Sequence, residues 1–340
     1  MSLNIDAMFI KILILSVLFL SFNAKAKEIE LLVSNPVLEN IPDGPEGEQI
    51  RYGFELLVHT AKYLGPNGSV KKYVNTRMSC TNCHLDAGRK EFGNSWLDTH
   101  GIYPQYRGRE NQVLTLGDRA NNCFEHPMNG TRVPLDSKEM RAILMYYKWL
   151  GNGRSILPKD PANRLIPLNF LKRAADPKRG KVVFENNCIA CHQADGLGKL
   201  NEQKTAFIYP PLWGKESYKE GSSMSRISVL ARFIKANMPF GATAKEPLLS
   251  DEDSWDVAAF VNSQPRPKWK GESNFKRLSE KPYDYPIPPY ADAFSNEQHK
   301  YGPYQPIVDY WQADVNEGDM TYIPSLKMER KLTLSKKKSL

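Results

Sequence analysis

Two pentapeptides decide the fold of this chain: Cys80-Thr-Asn-Cys83-His84 and Cys188-Ile-Ala-Cys191-His192, which start 108 residues apart. In a Cys-x-x-Cys-His motif the two thiols bond to the vinyl groups of a haem, and the histidine becomes the proximal ligand of the iron. A zinc pair or a thioredoxin-type redox pair is the other use of Cys-x-x-Cys. Two copies in a chain whose N-terminus resembles an export signal favour haem, and they predict two haem c groups (covalent, iron).

The residues around the second motif follow the plan of a small c-type cytochrome. The stretch Gly180–Cys188 predicts a helix that leads into the motif, and Pro210-Pro211 follows its histidine. A proline at such a place commonly offers its carbonyl to the N–H of the proximal imidazole. Met238 follows an amphipathic helix and is the candidate distal ligand. Met224 is the alternative ligand, and a methionine that only packs in the core is the third possibility.

The first motif lies in a module of the same plan with changes. An apolar stripe from Ile50 to Ala61 predicts the first helix, and Tyr103-Pro104-Gln105-Tyr106 takes the place of the proline segment. Asp136-Ser-Lys-Glu139 predicts the start of a closing helix. From motif histidine to closing helix there are 52 residues in this module and 58 in the other, which suggests an internal duplication. The predicted fold is mainly α, with two cytochrome c-like helical domains in tandem, each holding one covalently bound haem c.

The domain limits follow from these modules and from the composition between them. The segment 281–310 is rich in Tyr and Pro, and we expect it to lie extended across the surface of one or both modules, because it is too aromatic for a plain disordered tail. The predicted limits are 1–26 for a signal peptide, 27–150 for the N-terminal cytochrome c-like domain, 151–175 for a linker, 176–280 for the C-terminal cytochrome c domain and 281–340 for the Tyr/Pro-rich extended segment with a basic tail.

The N-terminus predicts export. Residues Ile12–Phe22 form an apolar run of 11 behind Lys11, and Ala24-Lys25-Ala26 offers a small-x-small cleavage site. The run is shorter than the roughly 20 residues that a membrane-spanning helix needs. We therefore expect a periplasmic protein with no integral membrane segment after signal cleavage. An uncleaved N-terminal anchor is the alternative.

The composition excludes several classes of protein. Hydrophobic residues make up 41% of the chain and charged residues 25%, which suits two buried cores and excludes wholesale disorder. The five cysteines exclude a paired disulfide framework, because four belong to the motifs and Cys123 remains single. The net charge of +8 comes mostly from residues 321–340, which hold six basic side chains and one glutamate. No basic patch with interleaved aromatic residues is present, so we expect no nucleic-acid partner.

Candidate groups for chemistry cluster before the closing helix of the first module. Cys123 lies 39 residues after the motif histidine and is a candidate thiolate ligand of the first haem. His126 and Met128 are rival ligands, and a buried free cysteine is the plain alternative. Arg109 and Arg119 precede Cys123, and guanidinium forks suit small oxyanions. Arginines that pair with haem propionates or face water are the alternative.

Taken together, these residues resemble the dihaem thiosulfate dehydrogenases, also called tetrathionate reductases. The similarity covers nearly the whole chain after the signal region, in order, and the block that contains Cys123 is its most specific part. The matching stretches are Tyr103–Glu110, Arg119–Glu125, Met128–Gly130, Pro211–Gly214, Lys235–Pro239 and Glu297–Pro303.

The resemblance implies a periplasmic enzyme that joins two thiosulfates into tetrathionate and passes two electrons to an external partner, a cytochrome, or runs in reverse. It also implies that the substrate is turned over at the first haem and that electrons leave through the second. Some relatives place a lysine beside the distal methionine; here the neighbour is Asn237 and the nearest lysine is Lys235. The implied residues are Cys123, Arg109 and Arg119 for catalysis, Cys80, Cys83, Cys188 and Cys191 for haem attachment, and His84, Cys123, His192 and Met238 as iron ligands.

Two other functions fit parts of the sequence. A dihaem electron-transfer cytochrome without a substrate of its own would need both motifs, but neither Cys123 nor the arginine cluster. Another sulfur-oxidising cytochrome with a thiolate-bound haem would share the cysteine ligand with the enzyme named above. Turnover of thiosulfate or tetrathionate by the purified protein separates these interpretations.

Overall fold

Two helical cores follow one another along the chain in the computed structural model, which describes residues 37–151, 165–269 and 275–311. The predicted signal peptide, most of the predicted linker and the basic tail lie outside the described residues. The prediction of a mainly α fold with two tandem cores is confirmed. No helix within the described ranges has both the length and the apolar character to cross a bilayer.

The first core is built from helices that enclose the first motif. The helices are α1 (Gly44–Val58), α2 (Thr60–Leu64), α3 (Leu116–Glu125) and α4 (Lys138–Leu150), and an antiparallel hairpin pairs β1 (Gln105–Arg107) with β2 (Gln112–Leu114). In the hairpin Tyr106 lies opposite Val113, so the turn between the strands carries Arg109 and Glu110.

The second core repeats this arrangement around the second motif. Its helices are α5 (Pro177–Asn187), α6 (Ile189–His192), α7 (Ile227–Asn237) and α8 (Asp251–Ser263), and its hairpin pairs β3 (Lys199–Leu200) with β4 (Phe207–Tyr209). Helix α5 confirms the helix predicted to lead into Cys188. Single 3₁₀ turns occur at Leu38–Asn40, Cys80–Asn82, Asp86–Gly88, His100–Ile102, Ser223–Ser225 and Leu278–Glu280.

In both cores the first long helix crosses the closing helix at a glycine. A Cβ atom at Gly53 would overlap the carbonyl of Ala142, and one at Gly180 would overlap the carbonyl of Asp256. Only glycine lets two helix backbones approach this closely. The same device at the same point of both modules supports the duplication inferred from the sequence.

Serine starts each closing helix. The Ser137 hydroxyl accepts a hydrogen bond from the Met140 amide at 3.1 Å, and the Ser250 hydroxyl accepts one from the Asp253 amide at 3.0 Å. A hydroxyl at this position satisfies one of the N–H groups that the first helical turn leaves without a partner. The two predicted helix starts are confirmed to within a residue or two.

Residues 275–311, called the C-terminal segment below, differ from the predicted extended surface segment, because they are partly helical and bury several of their side chains. The segment forms α9 (Asn296–Tyr301) and α10 (Gln305–Tyr310), and its residues Tyr283, Tyr304 and Trp311 join the second core. Polar anchors make this burial favourable: Arg226 Nε donates to Asp284 at 2.6 Å, and Trp311 Nε1 donates to Asp292 at 2.8 Å. A Tyr- and Trp-rich segment whose polar atoms find partners gains more from burial than from contact with water.

One ion pair joins the two cores directly. Arg77 of the first core donates from Nε to Oε2 of Glu216 at 2.8 Å, and a second guanidinium nitrogen meets the other carboxylate oxygen. The Arg77 and Glu216 side chains are 29% and 15% exposed. The hydrogen bonds from Arg77 hold the pKa of Glu216 below its usual value. The contribution of this pair to stability is therefore present above the ordinary pKa of glutamate and is lost as the pH falls through the lowered value.

We expect Glu216→Ala to lower the free energy of unfolding of the holoprotein by about 1.5 kcal/mol, because it removes a bidentate, half-buried partner of Arg77. Equilibrium urea denaturation measures this difference. The control is Glu185→Ala, which removes an exposed carboxylate 3.7 Å from Lys181 and should cost about 0.3 kcal/mol. Equal effects of the two substitutions would contradict the assigned role of the pair.

Candidate active site

A cavity of about 580 Å³ contains the first motif and extends toward the second core and the C-terminal segment. Its volume lies within the roughly 300–1,000 Å³ that cofactor pockets occupy. Cys80, Cys83 and His84 line it together with Cys123, so the structure brings the predicted ligands of the first haem into one space. Its apolar wall is formed by Leu57, Trp96, Ala120, Phe124, Met128 and Tyr147.

The imidazole of His84 is oriented by a backbone carbonyl. His84 Nδ1 donates to the Asn94 oxygen at 2.6 Å, and its ring packs on Trp96 with centroids 4.5 Å apart. Asn94 has φ +57°, a conformation that asparagine tolerates better than most residues. The proximal carbonyl therefore comes from Asn94, and the proline segment around Pro104 does not supply it. With Nδ1 engaged in this way, Nε2 is left as the iron ligand.

The histidine of the second motif is oriented in the same way, by the carbonyl that the sequence predicted. His192 Nδ1 donates to the Pro210 carbonyl at 2.9 Å. Burial lowers the pKa of His192, and the hydrogen bond to Pro210 partly offsets this effect. The imidazole is therefore neutral at pH 7, as an iron ligand must be.

The motif cysteines suit covalent attachment of haem better than zinc binding. Burial raises the pKa of Cys80 to about 12 and that of Cys83 to about 11. Burial likewise raises the pKa of Cys188 to about 11. Disulfide exchange needs thiolates, which burial disfavours at these cysteines. In addition, no group of three or more His, Cys, Asp or Glu side chains converges as a metal site within the described residues. The residues of both modules thus fit haem c.

Helix α3 places Arg119 and Cys123 one turn apart on the same face. A capping box starts the helix: the Asp118 amide donates to the Thr115 hydroxyl, and the Thr115 amide donates to the Asp118 carboxylate at 3.1 Å. Residues four apart are neighbours on a helix, and Arg119 Nη1 donates to Cys123 Sγ at 2.9 Å. Burial opposes ionisation of Cys123, but the Arg119 charge and the neighbouring His84 outweigh it and lower the pKa of the thiol to about 6.

Arg109 reaches the same cavity from the turn of the β1–β2 hairpin. Its Nη2 donates to the carbonyl of Gly221, a residue of the second core, at 2.9 Å. The neighbouring Glu110 accepts a hydrogen bond from Asn122 of α3 at 2.8 Å, which ties the turn to the helix that carries Cys123. The two predicted substrate arginines therefore line one cavity with the candidate thiolate.

The rival ligands of the first haem also line this cavity. Met128 and His126 are 5% and 6% exposed. Burial, with the charges of Arg109, Lys219 and Arg119, lowers the pKa of His126 to about 3, so this imidazole is neutral. Its ring packs on Trp269 at 4.8 Å. A neutral imidazole can bind iron, so the charge of His126 does not decide between the candidates; Cys123 is favoured because its thiol neighbours His84, the proximal ligand, and is held as a thiolate.

The two methionines considered for the second haem lie in different surroundings. Met224 is a buried residue of the second core that also lines the cavity of the first motif, and its sulfur accepts a contact from Asn94 Nδ2 at 3.8 Å. Met238 directly follows α7 and packs against the second core. This arrangement supports Met238 as the distal ligand. Lys235 is engaged elsewhere, because its Nζ lies 2.7 Å from the Asp251 carboxylate and 2.8 Å from the Leu249 oxygen.

We expect Met238→Ala to lower the reduction potential of the second haem and leave that of the first unchanged, because methionine ligation raises the potential of haem iron. Spectroelectrochemical titration of the purified protein resolves the two centres. Met224→Leu is the matched control and should leave the second potential in place. A shift of the second haem with Met224→Leu, and none with Met238→Ala, would reverse the assignment.

Residues of the C-terminal segment also line this cavity, which was not predicted from the sequence. Phe275, Glu280, Pro282, Tyr283 and Tyr285 line it, although they follow the second core in the chain. Single aromatic and acidic residues carry no motif, so only their density between residues 275 and 290 hinted at a special role.

Two haem-binding motifs, each with an oriented histidine in its own helical core, define a dihaem c-type cytochrome whose first centre faces an arginine-lined cavity. Residues 71–156 match the SoxA/TsdA cytochrome c domain family, and residues 177–265 match the cytochrome c family. The two domains therefore carry two covalently bound haem c groups. The exact limits of the domains and the roles of individual residues stay predictions.

Known proteins resemble most of the chain. Thiosulfate dehydrogenase from Thiomonas intermedia is 37% identical over 68% of this chain and 71% of its own length. The enzyme of that name from Allochromatium vinosum is 35% identical over 68% of this chain and 83% of its own length. A solved structure of thiosulfate dehydrogenase (TsdBA) from Marichromatium purpuratum matches with a TM-score of 0.62 and 30% identity, over 70% of this chain. The match spans about half, 51%, of that solved chain. The protein belongs to the thiosulfate dehydrogenase family.

Proposed function

We propose that this protein oxidises thiosulfate in the periplasm: it joins two molecules through their terminal sulfurs into tetrathionate and passes two electrons to an external cytochrome. The observation that carries this proposal is the single cavity shared by the first haem motif, the Arg119–Cys123 pair at 2.9 Å and Arg109. A cytochrome that only transfers electrons has no use for this arrangement. Membership of the thiosulfate dehydrogenase family supports the choice of substrate.

The first task of the site is to hold two dianions together. Each thiosulfate carries two negative charges, and their mutual repulsion opposes contact between the sulfurs. Arg109 and Arg119 offset this repulsion in a largely enclosed cavity, where charges interact more strongly than in water. Their forks also orient the oxygens, so that the terminal sulfurs approach each other in a reactive geometry.

Cys123 provides the sulfur atom that first forms a bond with thiosulfate. In the first step its thiolate and the terminal sulfur of one thiosulfate form an S–S bond, and two electrons leave. In the second step the terminal sulfur of another thiosulfate attacks the adduct at the sulfur atom that is bonded to Cys123 Sγ. Tetrathionate departs and the Cys123 thiolate returns, so charge and sulfur balance over the cycle. Arg119 stabilises the thiolate at the start and again when it leaves.

Each haem, when bound, accepts one electron, so two haems match the two electrons of the reaction. The residues of the chain provide the rest: they bind the anions, hold the thiolate and orient both proximal histidines. The same groups also serve the reverse reaction, in which tetrathionate is cleaved by the thiolate and two electrons enter. We include tetrathionate reduction in the proposal for this reason.

A coupled assay tests the proposal. Purified holoprotein is mixed with thiosulfate and ferricyanide, and tetrathionate is quantified; the reverse direction uses reduced dye and tetrathionate. The expected result is formation of tetrathionate with two ferricyanide reduced for each molecule. Absence of turnover in both directions would refute the proposed enzymatic function and favour a cytochrome that only transfers electrons. Oxidation of thiosulfate to another product would favour a different sulfur-oxidising cytochrome.

Intact-protein mass spectrometry tests the covalent step separately. The protein is treated with thiosulfate and oxidant, and the reaction is stopped before a second thiosulfate attacks the adduct. We expect Arg109→Gln to slow this second step, so the Arg109→Gln variant is used to trap the adduct. We expect the mass of one thiosulfate added at Cys123. If a slowed variant that still turns over never carries the adduct, the two thiosulfates join without a covalent intermediate.

A further inference from the structure

We infer that Tyr285 and Phe275, which follow both cytochrome domains in the chain, are positioning residues that hold Arg109 in the substrate cavity. The inference rests on the proposed function of Arg109 and extends it to the C-terminal segment. Neither residue belongs to a haem motif or to the block around Cys123. Both line the cavity that Arg109 faces.

Tyr285 and Arg109 are bound to the same backbone atom. Arg109 Nη2 donates to the Gly221 carbonyl at 2.9 Å, and the Tyr285 hydroxyl donates to that oxygen at 3.0 Å. Tyr285 is completely buried, so water does not replace this hydrogen bond. Because the Gly221 oxygen accepts both hydrogen bonds, the Arg109 guanidinium and the Tyr285 hydroxyl are held close to each other.

Two aromatic rings pack around the same guanidinium. The central carbon of the Arg109 guanidinium lies 5.6 Å from the centre of the Phe275 ring and 5.8 Å from that of Tyr285. The two rings meet edge to face, with centres 5.0 Å apart and planes at 77°. Aromatic faces attract a cation and at the same time exclude water from one side of it. The remaining N–H donors of Arg109 are therefore free to face an anion in the cavity.

The backbone that carries Arg109 is held by the same segment. Both carboxylate oxygens of Glu280 lie 2.9 Å from the Tyr106 hydroxyl, which donates to them from strand β1. At Gly108, next to Arg109, a Cβ atom would overlap the Glu280 side chain, so a larger residue there would displace Glu280. The Glu280 side chain is 2% exposed. The hairpin is thus held by the C-terminal segment as well as by helix α3.

These contacts matter because an arginine on a hairpin turn has many rotamers. A freely moving side chain would lose its conformational entropy each time it bound an anion, and it would present its fork in many directions. The contacts with Gly221, Phe275 and Tyr285 restrict these rotamers before substrate arrives. Loss of the restriction mainly weakens binding of the substrate, and it has a smaller effect on the orientation of the terminal sulfurs because the Arg109 side chain itself remains.

The test compares Tyr285→Phe and Phe275→Leu with the wild-type holoprotein. Removal of the Tyr285 hydroxyl should raise the KM for thiosulfate about fivefold. Removal of the Phe275 ring should raise it about three- to tenfold. In both variants haem content and the low-spin EPR signal of the first haem should stay within error, and kcat should change less than KM does. Tyr304→Phe is the matched control, since its buried hydroxyl donates to the Lys300 carbonyl at 2.9 Å and Tyr304 does not line the cavity.

A double-mutant cycle separates positioning of Arg109 from a general structural effect. In an Arg109→Gln background, Tyr285→Phe should cause no further rise in KM, because the residue that it positions is gone. The inference is overturned if Tyr285→Phe behaves like Tyr304→Phe, or if its effect persists in full without Arg109. Absence of thiosulfate turnover in the wild type would instead refute the proposed function, so the two failures are distinct.

Discussion

Replacement of Cys123 by alanine is expected to reduce the turnover of thiosulfate at least about a thousandfold while both haems stay attached. Cys123 is the sulfur nucleophile of the proposed cycle and the candidate distal ligand of the first haem. Its neighbours, Arg119 at 2.9 Å and His84, favour the thiolate form, and alanine offers nothing in its place. Steady-state assays with ferricyanide measure the loss of turnover.

EPR of the oxidised protein gives the matching structural readout for this variant. Loss of a thiolate ligand should change the low-spin ferric signal of the first haem and leave that of the second unaltered. His126→Gln is the control, because His126 lines the same cavity as a rival ligand but should leave both signals in place. A Cys123→Ala protein with an unchanged first signal would show that the ligand is another group.

Arg119→Gln is expected to lower kcat/KM for thiosulfate by about 10²–10³, the range found when one preorganised donor to a developing charge is removed. The substitution removes a buried positive charge that faces both the substrate and the Cys123 thiolate. Arg119→Lys should recover only part of the loss, because an ammonium keeps the charge but lacks the planar fork. Pre-steady-state reduction of the first haem by thiosulfate shows whether the loss lies in binding or in the sulfur chemistry.

The control for Arg119 lies close by on the surface. Arg132 is 45% exposed and pairs with Asp118 and Glu125, the residues at the two ends of the helix that carries Cys123. Arg132→Gln changes the total charge by the same amount and should leave kcat/KM within about twofold. Equal losses of kcat/KM in the two variants would mean that the overall charge of the protein governs the reaction, and not an anion site that includes Arg119.

Much of this architecture could be predicted from the sequence, because its signals are local. The spacing within Cys80–His84 and Cys188–His192, the serines that start both closing helices and the Arg119–Cys123 spacing each depend on a few neighbouring residues. The partner of His84 could not be predicted in this way. It is the backbone carbonyl of Asn94, which lacks the proline that marked the Pro210 carbonyl in the second module.

The lining of the cavity by the C-terminal segment could not be predicted for a different reason. Tyr106 and Glu280 are 174 positions apart, and their contact depends on how the two cores pack together. The Tyr- and Pro-rich composition of residues 281–310 indicated a segment ordered on the surface of the modules, but a single sequence does not state which side chains such a segment contacts. The prediction of an extended surface segment underestimated its burial for this reason.

The closure of the first cavity by this segment has a consequence for how the protein is made. Synthesis from the N-terminus produces the first Cys-x-x-Cys-His motif before residues 275–311, and until those residues pack the cavity is open on that side. Once the last helices have packed, Glu280 and Tyr285 line this cavity. We therefore expect haem to attach to the first motif before the C-terminal segment packs, so that the part of the chain made last completes the cavity for the substrate.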